Sequence, residues 1–286
     1  MSRFTKALQE FVASKTDFAV VYSTVASTNQ QSALITSKTQ RVCVLDSSFN
    51  PPHLGHYALV EESLKSNYDQ IPIGNKSLLL LLSIQNADKN TAHLSLEALE
   101  HRIDMIYLMA NDVAKRFPIN VSIGLIKHAK FVDKSLSIAN HIEARYPNIL
   151  RSGFKLTFLI GFDTLIRILN PKYYLPDKLS NSLEHFMKIT DLFCLTRQDG
   201  TTSITQQQGY IKEISSGEHE DIPSHWSNNI FLLKNLNEDI ANISSSSIRR
   251  EISRGARRGA TGKEEWNKHV IPEIAQYIEE KNLYKS

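Results

Sequence analysis

The chain has 286 residues, 41% hydrophobic and 22% charged, which is long enough to bury a core without disulfides and too apolar for disorder. Its 33 basic and 30 acidic residues leave a net charge of +3, which by itself calls for neither nucleic acid nor an acidic membrane. With only two cysteines, Cys43 and Cys194, a disulfide scaffold and a cysteine-built zinc site are excluded, and the usage fits a reducing compartment.

Residues 3–14 place Phe4, Leu8, Phe11 and Val12 at helical spacing. Residues 18–22 predict a short strand, and the polar stretch 23–40 a loop. The opening residues lack the apolar core of a secretory leader. The longest apolar run, 78–82, is far short of the ~20 residues that span a bilayer. A soluble protein of the cytoplasm, and of the nucleus as a second compartment, is expected.

From residue 41 onward, short apolar runs alternate with amphipathic stretches. The runs are 42–45, 78–83, 121–123, 156–160, 192–196 and 230–233. None alternates polar with apolar residues, so they predict strands buried on both faces, as in a parallel sheet. Helices are predicted over 54–66, 95–113, 133–145 and 162–169, then over 245–256 and 268–280 near the end. The order is that of an α/β fold, a Rossmann-like parallel sheet with helices on both faces. Residues 1–40 are expected to be an N-terminal extension. Residues 41–286 form one domain with a polar insertion, read as an insertion or mobile loop, at 198–229.

Ligands bind such sheets at the carboxyl ends of the strands. The first run leads there into Asp46, Ser47, Ser48, Phe49, Asn50, two prolines, His53, Leu54, Gly55 and His56. The prolines stop the strand, and a helix starts near His53 or Leu54, aiming free amides and a positive dipole above the sheet. His53 and His56, three apart, share one face of its first turn. Two imidazoles there suit a phosphate with developing charge. Alone, such a pair is as often a surface feature, and no third residue at metal-ligand spacing accompanies it.

The last helix opens on Ile243 followed by Ser244, Ser245, Ser246, Ser247, Ile248 and Arg249. One serine suffices for an N-cap, so four point to a further task, such as holding a triphosphate that Arg249 clamps. Between these segments, Gly161 and Asp163 follow the run 156–160, and Arg197 follows 192–196. A carboxylate at a strand end accepts from ribose hydroxyls or caps a helix; an arginine clamps phosphate or faces solvent. Arg102 and Met105 read as packing residues of their helix.

The string SFNPPHLGH resembles the opening motif of the nicotinamide-mononucleotide adenylyltransferases, within the HxGH nucleotidyltransferase superfamily. ISSSSIR resembles the C-terminal ISSTxxR motif of that family, with Ser246 in the threonine position. The resemblance runs in order over about 41–284. Gly161 and Asp163 match its G-x-D motif, Arg197 its strand-end arginine, and Lys89, loosely, a phosphate-facing lysine. Tyr173 or Tyr174 stands near the family's nicotinamide-stacking aromatic. The family's glycine before the hydroxyl residue is Ser47 here, and Asp46 stands where some members have another glycine.

The resemblance implies transfer of AMP from ATP to nicotinamide mononucleotide, giving NAD and pyrophosphate. It implies His53 and His56 at the bridging phosphates, and Ser245, Ser246, Ser247 and Arg249 at the β and γ phosphates. Ser47, Ser48, Phe49, Asn50, Gly161, Asp163 and Arg197 would line the nucleotide groove. Mg²⁺ or another divalent cation would ride on the phosphates with few protein ligands. The expected partners are the two small substrates, not nucleic acid or membrane; oligomeric state is not read from the sequence. Two alternatives stay open: adenylyl or cytidylyl transfer to another phosphate acceptor, and an ATP-binding or ATP-hydrolysing protein that acts through protein partners.

Overall fold

The computed structural model describes residues 2–25, 33–84, 95–147, 149, 153–197, 202–235, 238–258 and 265–285. Lys89 lies outside them. The described residues form one seven-stranded sheet: β1 (Phe18–Ser23), β2 (Arg41–Asp46), β3 (Lys76–Ser83), β4 (Asn120–Ile126), β5 (Lys155–Gly161), β6 (Thr190–Leu195) and β7 (Ile230–Leu233). Their order across the sheet is β1-β4-β3-β2-β5-β6-β7. Every neighbouring pair is parallel except β1 with β4.

The helices are α1 (Thr5–Ala13), α2 (Leu54–Lys65), α3 (Leu96–Arg116), α4 (Phe131–Arg145), α5 (Phe162–Ile168), α6 (Leu179–Ile189), α7 (Ile204–Ser216), α8 (Glu238–Ala241), α9 (Ser245–Arg258) and α10 (Pro272–Glu280). None is long and apolar enough to cross a membrane. The unbroken apolar runs have the predicted cause, since successive residues of each strand face opposite layers. Cys43 and Leu45 pack with residues of α1, α2, α3, α9 and α10, while Val42 and Val44 pack with residues of α4, α6 and α7. The chain builds outward from β2 to β3 and β4. It then crosses back through α4 to β5 on the other side of β2, so the loops after β2 and β5 diverge and leave a crevice between them.

Three stretches differ from expectation. Within 1–40, expected as an extension, Phe4 at the N-cap of α1 and Leu8 and Phe11 within it are buried in the core, and β1 joins the sheet as its antiparallel edge. Within 198–229, residues 204–216 are a helix rather than a loop, the crossover from β6 to β7. Ser203 and Gln206 close a capping box at its start, but only Gln207 and Ile214 are buried, too sparse a stripe to be read from sequence. Helix α6 is not among the predicted helices, although Leu179, Leu183, Phe186 and Met187 form its buried face.

The amino ends of the parallel strands are pinned by buried charge. Asp69 pairs with Arg41 and with Lys76, each at 2.9 Å. Asp191 pairs with Arg41, with Lys155 at 2.9 Å, and accepts from Asn229 at 2.8 Å. One network thus joins β2, β3, β5 and β6 at the end opposite the crevice. Removing one partner leaves buried charge uncompensated, so Asp191→Ala is expected to destabilise the protein by about 3–5 kcal/mol in urea unfolding. A loss below about 1 kcal/mol, the scale of an exposed pair, would contradict this role.

Candidate active site

The crevice at the carboxyl ends of β2 and β5 widens into a cavity of about 750 Å³. Asp46, Ser47 and Ser48 reach it from β2, and His53, Gly55 and His56 from the start of α2. Gly161 and Asp163 come from the end of β5 and the start of α5, Arg197 from beyond β6, and Ser244, Ser245 and Ser246 from the start of α9. The fold therefore brings the first and last sequence motifs to one wall.

His53 caps α2. Its Nδ1 accepts the backbone N–H of Gly55 at 3.1 Å, and the Nδ1 of His56 accepts the backbone N–H of His53 at 3.0 Å. Nitrogens that accept carry no proton, so each neutral ring holds its proton on Nε2. His56 Nε2–H donates to Ser47 Oγ at 2.8 Å. His53 Nε2–H has no partner among the described residues, and His53 is part of the cavity wall. The ring centroids lie 3.9 Å apart.

Burial, and then the Arg197 charge, push the His56 pKa down to about 3. Burial holds His53 well below its ordinary value, reinforced by His56, Arg197 and His269. Both rings are therefore neutral donors at physiological pH. Gly55 makes the arrangement possible, because a Cβ there would sit 2.9 Å from His53 Cε1. Gly161 acts likewise: a Cβ would lie 2.8 Å from Asp163 Oδ1. That carboxylate accepts from Arg197 at 3.2 Å and Arg167 at 3.4 Å.

Four residues expected at the nucleotide do not line the cavity. Phe49, at a left-handed φ of +45°, is buried beneath His56 with ring centroids 5.2 Å apart. Asn50 turns to the tail and accepts from Tyr284 at 2.7 Å. Ser247 serves the cap of α9: its N–H donates to Ser244 Oγ at 3.1 Å, and Ser244 N–H donates to Ser247 Oγ at 3.2 Å. Arg249 donates to the Asn50 carbonyl at 2.6 Å and to Ser246 Oγ at 3.2 Å. With Ser245 donating to the Pro51 carbonyl at 2.8 Å, Arg249 fastens the start of α9 to the loop after β2.

Other residues enter unannounced. Arg102, read as a packing residue, lines the cavity at 9% exposure, with Nη1 3.5 Å from the Ser48 carbonyl. No carboxylate among the described residues pairs with it. The available signal was an arginine within the apolar stripe of Leu99, Ile103 and Ile106. Gln207 of α7, 1% exposed, grips the Arg197 backbone: its Oε1 accepts from the N–H at 3.1 Å and its Nε2 donates to the carbonyl at 2.6 Å. Lys134 bonds Asp46. Both tyrosines reach the cavity, but Tyr174 is tethered by donation to the Ile168 carbonyl at 2.9 Å, whereas Tyr173 is 39% exposed.

The cavity does not fit a protein-held divalent cation. Its carboxylates Asp46 and Asp163 are engaged by cations, and the described residues contain no group of three or more metal-binding side chains.

A family model for cytidylyltransferase-like proteins matches residues 44–251, a span that contains both motifs of the histidine and serine wall. The chain belongs to the cytidylyltransferase-like family. Within it, the chain is 36% identical over 233 residues to a Schizosaccharomyces pombe protein provisionally named a nicotinamide mononucleotide adenylyltransferase, covering 81% of each. Among solved structures, the nicotinic acid mononucleotide adenylyltransferase of Plasmodium falciparum, complexed with APC, aligns with a TM-score of 0.50 and 14% identity, over 86% of this chain and 97% of that one. The same enzyme complexed with NaAD aligns with a TM-score of 0.50 at 15% identity, over the same shares. At such identity the structural likeness speaks for the fold alone, and it is the fold of this cytidylyltransferase-like chain.

The histidines give the folded protein a signature in acid. The unfolded chain binds protons on them near pH 6.5, and the folded chain does not until far lower, about 3 for His56. Stability therefore rises with pH between those values. The urea midpoint of the wild type should fall as pH is lowered from about 7 to about 5, and that of His56→Gln should fall less steeply. Equal slopes would show that His56 is not held neutral.

Proposed function

We propose that the protein transfers the adenylyl group of ATP to the 5′-phosphate of nicotinamide mononucleotide, forming NAD and releasing pyrophosphate. The observation that carries this reading is the pair of neutral imidazoles on the first turn of α2, their protons held on Nε2, in the wall of a cavity at the switch point of the sheet. The relationship to the fission yeast protein supports the choice of substrates.

In this reading, a phosphate oxygen of the acceptor attacks the α-phosphorus of ATP. The bond to the bridging oxygen breaks opposite it, and that oxygen leaves on pyrophosphate. The nucleophile is already an anion and the leaving group a good one, so no base and no covalent intermediate is needed. Catalysis is positioning and stabilisation of charge.

His53 donates from Nε2 to the phosphates directly. His56 acts through Ser47: a hydroxyl that accepts from Nε2–H is free to turn its own proton outward to the phosphate. Ser47, standing where the family has glycine, then extends the donor rather than blocking it. The backbone amides of Ser245 and Ser246 at the start of α9, with the Ser246 hydroxyl, whose oxygen accepts from Arg249 and whose proton is open, take the β and γ phosphates with the help of the helix dipole. Arg197, held by Asp163, by the Ile243 carbonyl at 3.2 Å and by Gln207, supplies fixed positive charge. Asp163 retains acceptor capacity for ribose hydroxyls. Magnesium enters as part of the nucleotide substrate.

Purified protein with ATP, Mg²⁺ and nicotinamide mononucleotide should form NAD in a coupled assay. His56→Ala should keep the fold and lower kcat by about 100-fold or more, the scale of one transition-state donor, because the Ser47 hydroxyl it orients is left undirected. Absence of NAD with the wild type sinks the assignment; near-normal turnover by folded His56→Ala removes the histidine from the mechanism.

A further inference from the structure

The cavity has two unlike walls, supplied by opposite layers of the sheet. His53, His56 and the α9 serines belong to the layer of α2 and α9, and they are polar and donor-rich. The facing wall, from the layer of α4 and α5, carries Phe131, Tyr173 and Tyr174. Phosphates suit the first wall, and a flat aromatic ring suits the second.

Into this aromatic wall the fold sets a charge pair. Lys134 Nζ donates to Asp46 Oδ2 at 2.5 Å, and both side chains are more than nine-tenths buried. Lys134 also lies over the Phe131 ring, 5.3 Å from its centroid. A buried pair of this kind contributes little net stability compared with apolar packing, so its presence in a ligand cavity asks for another explanation. The second oxygen of Asp46 receives no hydrogen bond from the described residues.

We infer that Asp46, balanced by Lys134, is a specificity residue that admits a carboxamide on the acceptor's pyridine ring and rejects a carboxylate. The inference rests on the adenylyl transfer proposed above. A carboxamide N–H can donate to the vacant Asp46 oxygen. A carboxylate has no proton to donate, meets like charge in a poorly solvated wall, and finds the Lys134 ammonium already neutralised. A site built around one hydrogen bond discriminates strongly against the analogue that cannot make it, because its own polar group is left unpaired. The sequence departure at Asp46 therefore becomes an instrument of acceptor choice.

The test is the ratio of kcat/KM for nicotinamide mononucleotide to that for nicotinic acid mononucleotide, with saturating ATP. The wild type should favour the amide. Asp46→Asn, which keeps the shape and uncovers the Lys134 charge, should move the ratio toward the acid by about tenfold or more. The double variant Asp46→Asn with Lys134→Met removes both charges. It should move the ratio in the same direction but less far, and it carries the test if the single variant does not fold. A general structural role would lower both acceptors together and leave the ratio alone. A ratio within about twofold of the wild type in the folded variants, or a wild type that prefers the acid, overturns the inference while leaving adenylyl transfer standing. A wild type that adenylylates neither acceptor overturns both.

Discussion

The site depends on two histidines kept neutral and kept in one tautomer. Each ring gives its Nδ1 lone pair to a backbone amide at the start of α2, and burial removes the option of a second proton. What remains on each ring is a single donor at a fixed place. That is the apparatus a phosphoryl centre needs, because donors already oriented require no reorganisation as charge develops. The neighbouring chain serves this condition. Gly55 leaves room for the His53 ring, and Phe49 occupies a left-handed backbone, which costs about 1–2 kcal/mol, to lie beneath His56.

The fold makes the condition affordable by separating rigidity from recognition. At the amino ends of the strands, Arg41, Asp69, Lys76, Lys155 and Asp191 bind the sheet together. At the carboxyl ends the loops carry chemistry, and contacts between distant segments set their positions. Ser245 and Arg249 tie the start of α9 to the carbonyls of Pro51 and Asn50. Gln207 holds the Arg197 backbone from a helix that contributes nothing else to the wall. The reversal of strand order supplies the remaining element, since layers on opposite faces can then present a phosphate wall and an aromatic wall to the same ligand.

Much of this was legible in the residues, for a physical reason that also marks the limit. The strands announce themselves as unbroken apolar runs because both faces are buried, and β2 to β7 follow those runs closely. The histidine motif is legible because its bonds are local, spanning two or three residues. Ser247 and Arg249 were read as phosphate ligands, but the Ser247 hydroxyl is engaged by Ser244, and the Arg249 guanidinium turns to the Asn50 carbonyl and Ser246. The Asn50 contact spans 199 residues of sequence. The Asp46–Lys134 bond spans 88 and crosses from strand to helix, so no spacing could suggest it. Arg102 left a faint trace as a charge within an apolar stripe, whereas Gln207 sat in a polar run that looked like solvent-facing loop. Helix α7 itself was hidden because a cap and two buried residues suffice to hold it against a sheet already formed.

The most direct measurement is of the protons themselves. Two-bond ¹⁵N–¹H correlation spectra of ¹⁵N-histidine-labelled protein, assigned with His53 and His56 variants, report which ring nitrogen is protonated. At pH about 7 both residues should be neutral with the proton on Nε2, and His56 should remain so well into acid. A proton on Nδ1, or an imidazolium signature at neutral pH for either residue, would contradict it.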